Sequence, residues 1–153
     1  MRVRTPVAVA TLLLSALAGG WSSGVAQDRR VIEMPGTAVG LPFSTAVRVG
    51  NMLYLSGQIG VIPGTRQLAD TGIADQTRQA LENIRAVLTY AGSALDRAVK
   101  CTVFLADIKD YAKMNEVYAT FFPNDPPARS TVAGSGLALG ARVEIECLAT
   151  AGA

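Results

Sequence analysis

From Phe43 onward the hydrophobic and polar positions fall into blocks with different periods. Phe43 to Val49 alternates, Gly50-Asn51 is a two-residue turn signal, and Met52 to Gln58 continues as a second alternating run, which predicts a β-hairpin. Gln27 to Thr37, by contrast, is polar and broken by Pro35 and Gly36, so an irregular lead-in is expected there. Val61 to Thr71 contains Pro63-Gly64 and reads as a loop, with Gln67 to Ala69 as its one candidate edge strand. The spacing then changes: Leu81, Ile84, Leu88 and Ala91 recur at three and four, while Gln76, Gln79, Glu82, Asn83 and Arg85 take the other side. This predicts an amphipathic helix over 74–91, ended by Gly92.

Val99 to Ala106 is apolar on both faces and predicts a central strand. A second helix follows from about Asp110, with Tyr111, Met114, Tyr118 and Phe121 on one stripe and Pro123 as its stop; the stripe reads as core. Pro126-Pro127 pre-sets an extended backbone and delivers Arg129 at the start of a new element. Arg142 to Cys147 alternates again, so Glu144 and Glu146 share one face and Val143, Ile145 and Cys147 the other. The order is strand, strand, helix, strand, helix, strand, strand. Two helices that each follow a strand cover one face of a four- or five-stranded sheet. Nothing in the chain covers the other, so a closed homo-oligomer formed by packing sheets together is expected, with sites in the clefts between subunits.

The first segment does not belong to this domain. Arg2 and Arg4 precede an unbroken run of apolar and small residues from Val7 to Ala18, and Gly24-Val25-Ala26 is a small-x-small cleavage pattern. This reads as a secretory signal peptide over 1–26, too short in its apolar run for the roughly 20 residues that span a bilayer. The expected mature chain, 27–153, is one domain, periplasmic or secreted, with no membrane contact after cleavage. Cleavage after Ala26 removes two of the 14 basic residues and leaves 12 against 12 acidic ones. A chain without net charge or a basic block is a poor nucleic-acid binder.

Histidine is absent, which excludes Ser-His-Asp and Cys-His machinery and any histidine-containing zinc site. Cys101 and Cys147 cannot close a structural zinc site by themselves. In an exported protein they could pair, but each sits in an apolar strand-like run, and buried free thiols are the expectation. Arg129 is suited to a small carboxylate, because its planar fork makes two charge-assisted hydrogen bonds. Glu144 could orient or deprotonate a water. On spacing alone an ordinary Arg129–Glu144 ion pair at a strand edge is the favoured reading. Ser56, Gly57 and Gln58 end their strand with small and polar groups, fitting either a close backbone approach or a bulge. Gly134-Ser135-Gly136 has no lysine and no helix behind it, and reads as a turn.

Pro127-Ala128-Arg129-Ser130, followed by Glu144 in Val-Glu-Ile-Glu, resembles the signature of the RidA (YjgF/YER057c/UK114) family. The likeness extends through Gly50-Asn51, Leu55 to Ile59, Gln79 to Asn83, Lys100 to Phe104, and Asn115 with Tyr118 and Phe121-Phe122. The resemblance implies an α+β, chorismate-mutase-like mixed sheet with two helices on one face, assembled as a homotrimer. In the family's deaminases, the arginine matching Arg129 holds the carboxylate of 2-aminoacrylate or a related 2-imino acid. The glutamate matching Glu144 positions the water that hydrolyses the imine to a 2-oxo acid and ammonia, and positions matching Ser56, Gly57 and Asn115 line the same cleft. No cofactor is implied. Two departures stand out: Leu41-Pro42-Phe43 replaces a Gly-Pro-Tyr context, so Phe43 brings a ring without a hydroxyl, and Ala138 stands where a Leu-Pro pair is usual. Phe43 also motivates the alternative of a small-carboxylate binding module without turnover.

Overall fold

A computed structural model describes residues 28–37, 40–70 and 72–152. The segment read as a signal peptide lies outside the described residues. The sheet runs β1-β2-β3-β7-β5-β6, with a short β4 alongside β7. The strands are β1 (Arg29–Ile32), β2 (Ala46–Val49), β3 (Met52–Leu55), β4 (Gln58–Ile59), β5 (Ala98–Leu105), β6 (Ala128–Ala133) and β7 (Val143–Thr150). Helix α1 (Ile73–Tyr90) precedes β5, and α2 (Tyr111–Phe121) lies between β5 and β6. β5 and β6 are parallel, as a strand–helix–strand crossover requires, and the remaining pairs are antiparallel. The mixed sheet with two helices matches the expected fold class.

The hairpin turns at Gly50-Asn51 as the sequence predicts, pairing Val49 with Met52. α1 ends in the hydrogen-bond pattern that a left-handed glycine allows: Gly92, at φ 75°, donates to Thr89 O, and Ser93 donates to Leu88 O at 2.8 Å. Parity then divides the sheet. Leu53, Cys101, Val103, Leu105, Val143, Ile145, Cys147 and Ala149 are buried and face the helices, whose own Leu81, Ile84, Leu88, Met114 and Tyr118 complete one core. The opposite face carries Tyr54, Thr102, Phe104, Val132, Glu144, Glu146 and Leu148; Tyr54 and Val132 stand 44% and 48% exposed there. No described element covers it.

Three expectations change. The lead-in is not wholly irregular: Arg29–Ile32 forms the edge strand β1, whose polar sequence carries no alternation because its side chains are mostly exposed and the register is supplied by β2. Val99 is 48% exposed rather than core, because the pairing of β5 with β7 is irregular between Ala98 and Lys100, leaving Val99 as the extra residue of a bulge. The cysteines are not free thiols. Cys101 and Cys147 are direct partners across β5 and β7, with Cα atoms 4.1 Å apart, and form a disulfide. The register that brings them together is a tertiary fact that neither apolar run reveals.

Candidate functional site

Glu144 lies on the open face at the second position of β7. Its neighbour is the break between β3 and β4, where pairing with β7 slips by one residue, from Tyr54↔Leu148 to Ile59↔Glu144. Ser56-Gly57 is therefore a bulge and also a close approach: a Cβ added at Gly57 would collide with the Glu144 carboxylate. The Ser56 hydroxyl is committed elsewhere, donating to Ser44 O at 2.6 Å. Below the bulge, Asn83 of α1 donates to Ile59 O and Val61 O at 3.1 and 2.9 Å. Gly60 lets the strand end reach the helix, since a Cβ there would lie 2.6 Å from the Gln76 Cα. Burial raises the Glu144 pKa above the usual carboxylate range, and the Glu146 charge on the same face adds to the shift. The Glu144 carboxylate has no hydrogen-bond or ion-pair partner among the described residues.

Arg129 belongs to the other face. It pairs in register with Cys101 in the parallel β5–β6 ladder, which turns its side chain toward α2. Its guanidinium lies 4.6 Å from the Tyr118 ring centroid and 5.7 Å from that of Tyr111, and Nη2 donates to the Tyr111 hydroxyl at 3.3 Å. No carboxylate pairs with it among the described residues. On the same two elements, α2 and β6, three buried polar atoms have no hydrogen-bond partner: Asn115 Oδ1, Tyr118 OH and Thr131 Oγ1. Burial pushes the Tyr118 hydroxyl up to about 12, partly opposed by the Arg129 charge. Asn115, on α2 between Tyr111 and Tyr118, is half-buried and acts on the Tyr111 hydroxyl.

Within one chain the sequence-predicted residues thus form two groups. Glu144, Gly57 and Ser56 gather at the β4–β7 bulge on the open face, whereas Arg129 and Asn115 gather under α2. Phe43, 58% exposed, precedes β2. A cavity of about 500 Å³ lined by Arg30, Glu33, Arg48 and Tyr90, and one of about 140 Å³ lined by Leu95, Phe121, Phe122 and Pro127, contain none of these residues. Tyr111 and Tyr118 were read from the sequence as core. Their contact with Arg129 depends on the β5–β6 register, for which the sequence carries no signal. Asp110, at the start of α2, holds Arg142 through both carboxylate oxygens at 2.9 and 2.7 Å, and Gln76 Oε1 accepts from the Arg142 backbone N at 2.8 Å. These contacts fix the start of β7, two residues before Glu144, against both helices.

The candidate chemistry of the chain is thus a half-buried, acid-free guanidinium on one face and a carboxylate of raised pKa on the other. The family model described as endoribonuclease L-PSP matches residues 35–151, and the chain belongs to this family, the one its motifs resemble. It is 43% identical over 127 residues to a human protein named 2-iminobutanoate/2-iminopropanoate deaminase, covering 81% of this chain and 91% of that one. Among solved structures, the yeast protein YEO7 superposes with a TM-score of 0.78 at 40% identity, covering 82% of this chain and 100% of that one. Escherichia coli TdcF with bound serine superposes with a TM-score of 0.73 at 37% identity, covering 80% and 99%.

Proposed function

We propose that the chain is an enamine/imine deaminase that hydrolyses 2-aminoacrylate or related 2-imino acids to 2-oxo acids and ammonia. The observation that carries this reading is that Arg129 and Glu144 are each left without a charged partner of opposite sign among the described residues, so each is open to substrate. Arg129 receives the carboxylate through its planar fork. With the substrate as its imine tautomer, Glu144 orients a water, takes its proton as the oxygen adds to the imine carbon, and passes that proton to the nitrogen to give the carbinolamine. It then carries the carbinolamine hydroxyl proton to the nitrogen as the C–N bond breaks, so that ammonia leaves and the 2-oxo acid remains. A carboxylate whose pKa is raised by burial is suited to both transfers. The named activity of the human relative supports the reaction class, and serine in TdcF is an amino acid bearing the same carboxylate.

Because the two groups occupy opposite faces of one sheet, the site is completed between subunits of a homotrimer, the Glu144 side of one chain meeting the Arg129 side of another. The uncovered face with Tyr54 and Val132 is the natural packing surface for such an assembly. The Cys101–Cys147 disulfide supports an oxidising compartment, in keeping with an exported chain. The family model's description raises ribonuclease activity, but the absence of histidine and of a basic block argues against it. Phe43, exposed and without a hydroxyl, favours the second reading, a carboxylate-binding module without turnover. Ammonia release from 2-imino acids generated by an amino-acid oxidase separates the two: acceleration by wild type and background rates in Arg129→Ala support the enzyme. Binding of 2-oxo acids without acceleration supports the module.

A further inference from the structure

Arg129 is held by aromatic residues rather than by an acid, and one of them brings a hydroxyl to the guanidinium. Tyr111 opens α2 and is 41% exposed, so one side of its ring packs toward Arg129 while the other meets solvent. The phenol oxygen accepts from Arg129 Nη2 at 3.3 Å. Asn115, one turn along the same helix, acts on the same hydroxyl and helps lower its pKa. An oxygen that accepts from the guanidinium keeps its own proton for an acceptor elsewhere, and among the described residues no acceptor takes it.

We propose that Tyr111 contacts substrate and sets specificity: its O–H and the Arg129 guanidinium together form the cradle for the substrate carboxylate, the phenol supplying a hydrogen bond alongside those of the arginine. The inference rests on the reading that Arg129 receives that carboxylate. A cradle of this kind selects an anionic acceptor over a neutral carboxamide, because the amide NH₂ would face one of the two donors with a donor of its own. It also carries a built-in sensitivity. Asn115 first, and then Arg129, lower the Tyr111 hydroxyl below the ordinary tyrosine range. The ionised phenol would repel the carboxylate and take the guanidinium as its own counter-ion. The charged group facing Tyr111 from β6 is Arg129. On its own side, Asp110 is engaged with Arg142 and Lys113 with Glu116, and Tyr118, held up to about 12, stays protonated through the same range.

The test is calorimetric titration of 2-oxobutyrate into the full chain as wild type, Tyr111→Phe and Arg129→Lys, at neutral pH and at steps toward the ordinary tyrosine value of 10.0. Tyr111→Phe should weaken neutral-pH binding about tenfold, the loss expected for one hydrogen bond to a charged group. Wild-type affinity should fall as pH rises, and this alkaline fall should be absent from Tyr111→Phe. A variant that binds as tightly as wild type at neutral pH, while Arg129→Lys is weakened, overturns the role of Tyr111 and leaves Arg129's intact. A variant that is weakened yet keeps the alkaline fall also overturns it, since Tyr111 would then only prop the arginine. If wild type and Arg129→Lys bind equally, or neither binds, the carboxylate reading itself fails and takes this inference with it.

Discussion

Arg129 and Glu144 project from opposite faces of the same sheet, on strands β6 and β7 that flank β5: Arg129 is level with Cys101 on the helix side, whereas Glu144 is level with Phe104 on the open side. Two groups so placed do not face one another within the chain, and the proposed site therefore takes each from a different subunit.

Subunit mixing checks this arrangement. Arg129→Ala and Glu144→Gln should each be inactive alone, and loss of the arginine should cost about 1.5 to 3 kcal/mol in binding the carboxylate. When the two inactive chains are co-assembled in equal amounts, about a quarter of the boundaries of a cyclic assembly pair an intact arginine with an intact glutamate. Deaminase activity near that fraction is expected in the mixed preparation, and none if both groups act from the same chain.

Gly57→Ala places a methyl group where the Glu144 carboxylate now lies. The glutamate must swing away, so turnover should fall at least about tenfold while the bulge, which tolerates an ordinary backbone angle at this position, keeps its fold. Thermal melting alongside the assay distinguishes a displaced carboxylate from an unfolded chain. An active Gly57→Ala would mean that the carboxylate works from another rotamer.

The raised pKa of Glu144 makes both rate and stability depend on pH. The base form is needed for catalysis, so the acid limb of kcat/KM should lie above the ordinary carboxylate value of 4.5. For stability, the folded chain holds this proton to higher pH than the unfolded chain. Stability attributable to Glu144 is therefore fully present below the ordinary value, falls as pH rises through the folded pKa, and is constant beyond it. Denaturant titrations should show Glu144→Gln gaining on wild type over that window. Glu146→Gln should move the acid limb slightly downward, because burial is the larger cause and remains; a limb that does not move would exclude Glu146 as a contributor.

Replacing Cys101 and Cys147 by alanine removes a cross-link between residues 46 apart in sequence. A closed loop of this size should contribute about 2 to 4 kcal/mol, read as a lower denaturant midpoint in the double variant. Wild type treated with reductant after unfolding should refold to the variant's stability, whereas reductant added to the folded protein should act slowly, since both sulfurs are buried.

The two helices, the hairpin and strands β5 and β7 were legible because each buries one stripe or face, and burial imposes a period that survives in sequence. β1 was not, because Arg29 and Arg30 are exposed at an edge and only backbone pairing with β2 makes them a strand. Val99 was misplaced because a bulge interrupts a period without leaving a residue type that marks it. The site divides in the same way. Glu144's face follows from local alternation, but Arg129's surroundings depend on which residues of β5 lie beside β6 and on where α2 crosses. Tyr111 therefore reads in the sequence as a core aromatic. The cysteines show the limit most plainly, since two buried positions in separate strands give no hint that they are directly opposite.

That direct opposition has one more effect. A one-residue slide of β7 along β5 would turn every β7 side chain over, carrying Glu144 to the helix side and Cys147 to the open one. With Cys101 bonded to Cys147 the slide is chemically forbidden, so the direction in which Glu144 points is held by a covalent bond three residues away rather than by packing alone.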